Sequence, residues 1–367
     1  MKPSRFGGIE ILRTIPRRIK AIPMAIYFYV YPSAFQNPGG GEVQLLKTKE
    51  SLERRGVEIR LYNQWEDKLQ KGDLLHVFGS VKYCYGLMRT AKEVGARVLL
   101  STISWFDWRS AVHTYPDPRQ RALNAIRHFA KVCFPRVPSL RRSMMEISDL
   151  LLPNSEAEAE QLVKYFRMRR NKIAVIPNGV DPIFERSDPK LFWDRYGFKD
   201  FFLCVGRIEP RKNQLALVRA HRGMERPLVI IGEAVSRYHD YETQCRREAG
   251  GNVHFLGYIP MDSEILRSAY AACNAFVLPS WFETPGLAAL EAGLSGAKVV
   301  ITDGGSTREY FGEGARYVDP SRVSDIRQKM EETGAMNKNG RLQSHIRENY
   351  LWEKVAEKVA GCYARLE

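Results

Sequence analysis

The sequence predicts an α/β protein of two parallel-sheet units. Three observations carry this. Short apolar runs of about four or five residues alternate with helical segments along the chain, turn chemistry interrupts the pattern near its middle, and 367 residues suit about two domains. Continuous apolar strands between helices indicate parallel sheets covered on both faces.

In the first half, Ala25–Val30 reads as a strand and runs into the loop Pro38-Gly39-Gly40-Gly41. Glu42 to Arg55 has helical periodicity through Val43, Leu46 and Leu52, and Gly56 stops it. Val57–Tyr62, Leu74–Phe78 and Arg97–Thr102 follow as strands. Asn154-Ser155-Glu156-Ala157-Glu158 reads as a capping box, with Ser155 capping a helix and Glu158 reaching back to its start. A short strand, Ile173–Ile176, precedes the turn Pro177–Asp181, which places a domain boundary. The second half offers strands at Phe201–Val205, Leu228–Ile231, Val253–Leu256, Ala275–Leu278 and Lys298–Thr302. The expected organisation is two Rossmann-like domains facing each other across a cleft, 1–178 and 179–349, with a C-terminal helix, 350–367, packing back on the first. In open α/β sheets ligands bind beyond the carboxyl ends of the strands, so the cleft is the expected site.

Composition narrows the function. Hydrophobic residues make up 44% and charged residues 27%, which excludes wholesale disorder. No apolar run is long enough to span a bilayer, and the basic N-terminus lacks the apolar segment of a signal peptide. Six dispersed cysteines without a CxxC pair fit a reducing compartment and speak against a zinc site, so a cytoplasmic address is expected. The net charge is +14, and residues 1–178 hold 30 Lys plus Arg against 16 Asp plus Glu, so the whole excess lies in the first half. That half is expected to face something anionic, unless the charge only tunes solubility.

Four candidate features follow predicted strands. Gly39-Gly40-Gly41 lets the backbone approach a phosphate before a helix N-terminus, although a plain turn reads the same way. Val205 to Asn213 ends a strand at Gly206 and supplies Arg207, Arg211 and Lys212, cations suited to a diphosphate or to an exposed basic loop. In Ser280 to Ala292, Thr284 is expected as N-cap and Pro285 as first helical residue. Glu283 then stands before the helix, Glu291 about two turns inside it, and the amides of Gly286 and Leu287 form an anion site. Two carboxylates beside an anion site suit a nucleotide sugar; the structural alternative is that Glu283 caps and Glu291 pairs with a cation. Asp303-Gly304-Gly305-Ser306-Thr307-Arg308-Glu309 opens a further helix and is generic by itself.

The order Gly39-Gly40-Gly41-Glu42, Asn154 to Ala157, Asn178 to Asp181, Arg207 to Asn213 and Glu283 to Glu291 resembles the retaining family 4 glycosyltransferases of GT-B fold. The resemblance covers nearly the whole chain, including the terminal segment Leu351-Trp352-Glu353-Lys354. It implies that Arg207 and Lys212 bind the diphosphate of a nucleotide sugar and steady it as it leaves. It further implies that Glu283 contacts the transferred sugar, that Glu291 holds the ribose hydroxyls, and that Gly40 and Gly41 close over the phosphates. No metal and no other cofactor is implied, because fixed cations and helix dipoles neutralise the leaving group.

One departure stands out. The family usually carries a His after the fourth strand of the first domain, where this chain has Ser104, with Asp107 nearby; His76 lies one strand earlier and reads as structural. Arg119 to Arg142 holds seven cations interleaved with Leu123, Ile126, Phe129, Val132 and Phe134. With Lys2, Arg5, Arg13, Arg17, Arg18 and Lys20 this segment suits an anionic membrane surface or a lipid-linked acceptor, or else is an ordinary surface helix. The expected function is sugar transfer from a nucleotide sugar to a glycan or lipid-linked acceptor. Alternatives are another enzyme on this fold, such as a sugar-nucleotide epimerase or a phosphorylase, or a non-catalytic nucleotide-sugar binder. Nucleic acid is not an expected partner, since no recognition motif accompanies the charge.

Overall fold

A computed structural model describes residues 25–36, 39–113, 117–134 and 138–366. The basic residues Lys2 to Lys20, Pro38 and Arg136 lie outside the described residues. Through residue 166 the elements are β1 (Ile26–Tyr29), α1 (Gly40–Glu53), β2 (Ile59–Leu61), β3 (Leu74–Phe78), α2 (Tyr85–Glu93), β4 (Arg97–Ser101), α3 (Trp108–His113), α4 (Pro118–Cys133), α5 (Leu140–Ile147), β5 (Leu150–Leu151) and α6 (Glu156–Phe166). The second set is α7 (Lys190–Tyr196), β6 (Phe202–Val205), α8 (Gln214–His221), β7 (Leu228–Ile231), α9 (His239–Glu248), β8 (Val253–Phe255), α10 (Glu264–Ala272), β9 (Ala275–Leu278), α11 (Leu287–Leu294), β10 (Lys298–Thr302), α12 (Thr307–Phe311), β11 (Ala315–Val318) and α13 (Val323–Ala335). The helices α14 (Arg341–Asn349) and α15 (Trp352–Ala364) complete the chain.

Two parallel sheets result, ordered β2-β1-β3-β4-β5 and β11-β10-β9-β6-β7-β8, which makes the fold GT-B. The first sheet is covered on one face by α1 and α15, through Leu45, Leu52, Val355, Val359 and Tyr363, and on the other by Met88, Met144, Met145 and Leu162. The last helix thus completes, beside α1, the cover of a face that the first half of the chain fills only in part. Burying Val355, Val359 and the Tyr363 ring removes apolar surface worth about 1.5–3 kcal/mol per side chain.

The chain passes between the two units twice, side by side. Val180 N–H donates to Tyr350 O at 2.7 Å and Trp352 N–H to Val180 O at 3.2 Å. A second tie comes from α12. Glu309 Oε1 accepts from Glu156 N–H at 2.9 Å and Oε2 from Ala157 N–H at 3.3 Å, so a carboxylate of one unit satisfies the open helix terminus of the other. Beside it Tyr310 donates its hydroxyl proton to Asn154 O at 2.6 Å and accepts from Asn178 N–H at 2.8 Å.

One local expectation is corrected, and others are extended. Ile173–Ile176 makes a single bridge, Leu151 to Ile173, rather than a strand: Ala174 N–H still donates to Leu151 O and Ile176 N–H to Pro153 O, both at 2.9 Å, but Pro153 has no N–H with which to continue the ladder. Two strands went unread, β5 and β11; the first is too short to show periodicity, and the second, Ala-Arg-Tyr-Val, carries a charge at an exposed position. Ser155 does cap α6, accepting from Glu158 N–H at 3.0 Å. The Glu158 carboxylate reaches back past Ser155 to Asn154 N–H (2.8 Å), one residue before the cap, and also binds Ser104 N–H (2.7 Å) and the Thr102 hydroxyl (2.5 Å), tying the helix start to the loop after β4. Burial pushes its pKa up to about 7 despite those donors.

Candidate functional site

Strand order explains why distant residues meet. In the second sheet β6 starts the unit, β7 and β8 extend to one side, and β9, β10 and β11 to the other. The chain reverses between β6 and β9, which pair through Phe202 to Ala275 and Leu203 to Phe276. Loops leaving adjacent strands at such a reversal diverge and open a crevice. The loop after β6 carries Gly206, Arg207, Arg211 and Lys212, and the loop after β9 carries Ser280 and Glu283.

There the three cations divide. Lys212 Nζ stands 2.7 Å from Glu283 Oε1. Arg211 turns to the back of the loop: Nε donates to Glu209 Oε1 at 3.1 Å, Nη1 to Phe282 O at 3.3 Å, and the guanidinium lies 3.6 Å from Glu283 Oε1. Arg207 is exposed and reaches across to the first unit, where a methyl group on Gly39 would stand 2.6 Å from its Nη2. Gly206, at φ +145°, provides the bend that separates Arg207 from β6.

Glu283 is buried, and the Ser280 hydroxyl donates to its Oε1 at 2.5 Å. Burial raises its pKa, but the Lys212 and Arg211 charges outweigh this and hold the carboxyl below its ordinary value, so it stays ionised. Its backbone is fixed by the turn after β10: Glu283 N–H donates to Gly304 O at 3.1 Å and Ser306 N–H to Glu283 O at 2.9 Å. At Gly305, φ is +98° and a methyl group would fall 1.9 Å from Glu283 O, so only glycine fits. The segment Asp303–Glu309, generic as sequence, is therefore the support on which Glu283 rests.

The expected helix start is corrected. Thr284 and Pro285 are joined by a cis peptide and lie before α11; the N-cap is Gly286, at φ +92°, and Leu287 is the first helical residue. The first intrahelical donor is Ala289, to Gly286 O at 2.9 Å, so the amides of Gly286, Leu287 and Ala288 head the helix without intrahelical partners. Glu291 therefore stands little more than one turn inside. Tyr270 donates to its Oε2 at 2.8 Å, and burial, with a smaller contribution from the Asp181 charge, pushes its pKa up to about 7.

The facing wall is the carboxyl edge of the first sheet. Gly40 and Gly41 form the first turn of α1, Gly39 N–H donates to Glu42 Oε2 at 2.7 Å, and Gly40 lies against Leu287, whose Cδ1 would be 3.7 Å from a methyl there. The glycine motif thus touches the very helix start that carries the anion-binding amides. His76 is buried between Tyr363 Oη (2.8 Å) and Ser101 Oγ (2.9 Å), and burial pushes its pKa down to about 3, which settles it as structural. Ser104 is buried with its Oγ unpartnered, and Asp107 accepts from Trp105 Nε1 at 2.7 Å. One imidazole does reach the cleft: His113, at the end of α3, stacks on Trp281 with ring centroids 3.5 Å apart and planes 7° apart. Arg109, one turn earlier, lies 3.8 Å from Asp319. Ser280 opens a segment singled out in the sequence but carried no signal of its own there, and His113 lies outside every motif; both act through the loop geometry. Among the described residues no group of three His, Cys, Asp or Glu side chains could hold a metal ion.

Comparison with known proteins agrees with this architecture. The profile of the family described as Glycosyl transferases group 1 matches residues 193–349, and that described as Glycosyltransferase Family 4 matches residues 73–184. The D-inositol 3-phosphate glycosyltransferase of Stackebrandtia nassauensis is 31% identical over 346 residues, covering 78% of this chain and 76% of that protein. The O-antigen chain mannosyltransferase B of Escherichia coli is 28% identical over 211 residues, 52% of this chain, and the match spans about half, 54%, of that relative's length. The solved sucrose-phosphate synthase from Thermosynechococcus elongatus superposes with a TM-score of 0.73 at 16% identity, covering 94% of this chain and 99% of that one, a likeness of fold.

Proposed function

Because this chain belongs to the family 4 glycosyltransferases of GT-B fold, we propose that it moves a sugar from a nucleoside-diphosphate donor to a glycan or lipid-linked acceptor, with retention of configuration and without a metal. The observation that carries this is the ionised Glu283 fixed between Lys212 and Ser280 beside the open amides of α11, with Arg207 facing them from the same crevice. The diphosphate sits against Arg207, Lys212 and the amides of Gly286 and Leu287, with Gly40 and Gly41 closing over it. As the bond from the anomeric carbon to the diphosphate oxygen lengthens, negative charge grows on that oxygen, and donors fixed in advance lower the barrier without reorganising. Glu283 accepts hydrogen bonds from the hydroxyls of the transferred sugar, and its negative charge favours the positive charge building on the ring. Glu291, once ionised, accepts from the ribose hydroxyls.

A thermal-shift screen of nucleoside diphosphates and sugar nucleotides, followed by donor hydrolysis and transfer assays, tests the reading. Stabilisation by one sugar nucleotide and a donor kcat/KM that falls in both Arg207→Ala and Lys212→Ala support it; an undiminished kcat/KM in either variant overturns the site. The unpartnered Ser104, where the family usually has His, favours one second reading, a nucleotide-sugar binder without turnover. A donor that stabilises the protein yet is neither hydrolysed nor transferred selects that reading.

A further inference from the structure

Helix α4 is turned inside out. Two of its polar side chains face the protein: the His128 ring stacks on Phe106 at 4.6 Å and meets Trp108 edge-on at 6.0 Å, and Lys131 Nζ lies 4.5 Å over the Phe166 ring. Its apolar side chains face water: Leu123, Ile126, Phe129 and Phe134 are 41%, 66%, 68% and 64% exposed, and none of the sixteen residues is buried. Leu123, Ile126, Phe129, Ala130 and Cys133 are each linked to another of the set by a spacing of three or four, so they form one continuous stripe. A helix on a water-facing surface carries the opposite arrangement. Exposed Arg119 and Arg127 border the stripe, and from Pro118 to Met145 the sequence contains no Asp or Glu.

We propose that this face of α4 docks on an anionic lipid bilayer, the apolar stripe entering the headgroup region and the bordering arginines meeting the lipid charges. The charge pattern selects this occupant. A second copy of the chain would bring an equally basic stripe to the same place, and opposed like charges cost free energy, whereas anionic headgroups supply the missing sign. The surface is also joined to the cleft. α4 packs on α3 through His128 and Trp108, and α3 ends in His113 on Trp281, two residues before Glu283. A docked α4 therefore holds the cleft mouth near the bilayer. Delivery of a lipid-linked acceptor there rests on the transfer reading; the docking itself does not.

The test is co-sedimentation of the full chain with phosphatidylcholine vesicles, with and without phosphatidylglycerol. Binding is expected only with phosphatidylglycerol and is expected to weaken with salt. The double variant Ile126→Asp/Phe129→Asp abolishes it with unchanged thermal unfolding, and Arg127→Glu weakens it about fivefold or more. In Phe129→Trp, indole emission shifts to the blue on adding the anionic vesicles. Binding that ignores lipid charge, or that survives in the double variant, overturns the proposal. So does a dimer, seen by light scattering, that the double variant dissolves, because it assigns the stripe to a second copy. Hydrolysis of the soluble donor, measured without vesicles, is expected to be the same in the double variant, so failure of docking and failure of the transfer reading separate.

Discussion

The two walls of the cleft are built by different physics. On the C-terminal wall the functional side chains are held by charge: Glu283 by Lys212, Ser280 and Arg211, and its backbone by the Gly304-Gly305 turn. On the N-terminal wall charge holds backbone rather than functional side chains, Glu42 the Gly39 amide and Glu158 that of Ser104. The glycine turn contributes backbone, Ser104 has an unpartnered hydroxyl, and His113 stacks on Trp281. A preorganised wall suits a ligand whose charges are invariant, such as a diphosphate. A wall of glycine and aromatic contacts adapts more readily to a variable partner. The difference teaches where substitutions bite: through the electrostatics of one wall and through the closing geometry of the other.

The largest expected effect is at Lys212. Lys212→Ala removes a fixed donor at the leaving group and leaves the Glu283 carboxylate short of its nearest cation, so turnover falls about 10²–10³-fold. Single-turnover kinetics place the loss in the chemical step; a loss confined to KM would move Lys212 from leaving-group stabilisation to simple binding.

Gly305→Ala attacks the support of the same wall without touching a charge. The left-handed backbone there costs a non-glycine residue about 1–3 kcal/mol, and the methyl meets Glu283 O as well. Denaturant unfolding should show a loss of at least that size, accompanied by lower turnover. An Ala variant of wild-type stability would mean that the turn does not fix Glu283.

Arg207→Ala leaves an exposed guanidinium's place to water and breaks no ion pair among the described residues, so a stable protein is expected, with donor KM raised about ten- to a hundredfold. Titrating nucleoside diphosphate by calorimetry reads this directly.

Glu291 gives a pH signature. With its pKa pushed up to about 7, the carboxyl holds its proton below that pH and cannot accept from both ribose hydroxyls. Donor KM should therefore fall as pH rises through about 7, and Glu291→Gln should flatten the profile. A wild-type profile already flat across that range would remove Glu291 from donor binding.

The smallest effect belongs to the other wall. His113→Ala loses one stacked pair, worth about 0.5–1.5 kcal/mol, so acceptor KM rises about two- to tenfold while donor KM stays put. If donor KM moved instead, the stack would belong to the donor side and the contrast between the walls would weaken.

Much of this was legible in the chain itself. Leu74–Phe78, Leu228–Ile231, Ala275–Leu278 and Lys298–Thr302 were readable to the residue, because each is built on apolar residues buried on both faces. Arg207, Lys212, Glu283 and Glu291 could be singled out because cations and carboxylates directly after strands stand out from their surroundings. The start of α11 could not: Thr284-Pro285 carries every local mark of a helix N-terminus, but the Gly304-Gly305 turn holds Glu283 so that the helix begins only after Gly286.

What the sequence determined, then, was the type and order of the elements and the chemical character of each loop, since propensity, periodicity and turn chemistry act over a few residues. Only the tertiary structure decided which loops meet. Strand order brought β6 beside β9 and so set Lys212 against Glu283, seventy-one residues apart. Packing turned Arg211 inward and Arg207 outward, and it left the apolar side of α4 facing water. Which way a side chain points depends on what stands opposite it, and that is fixed by the packing of distant segments.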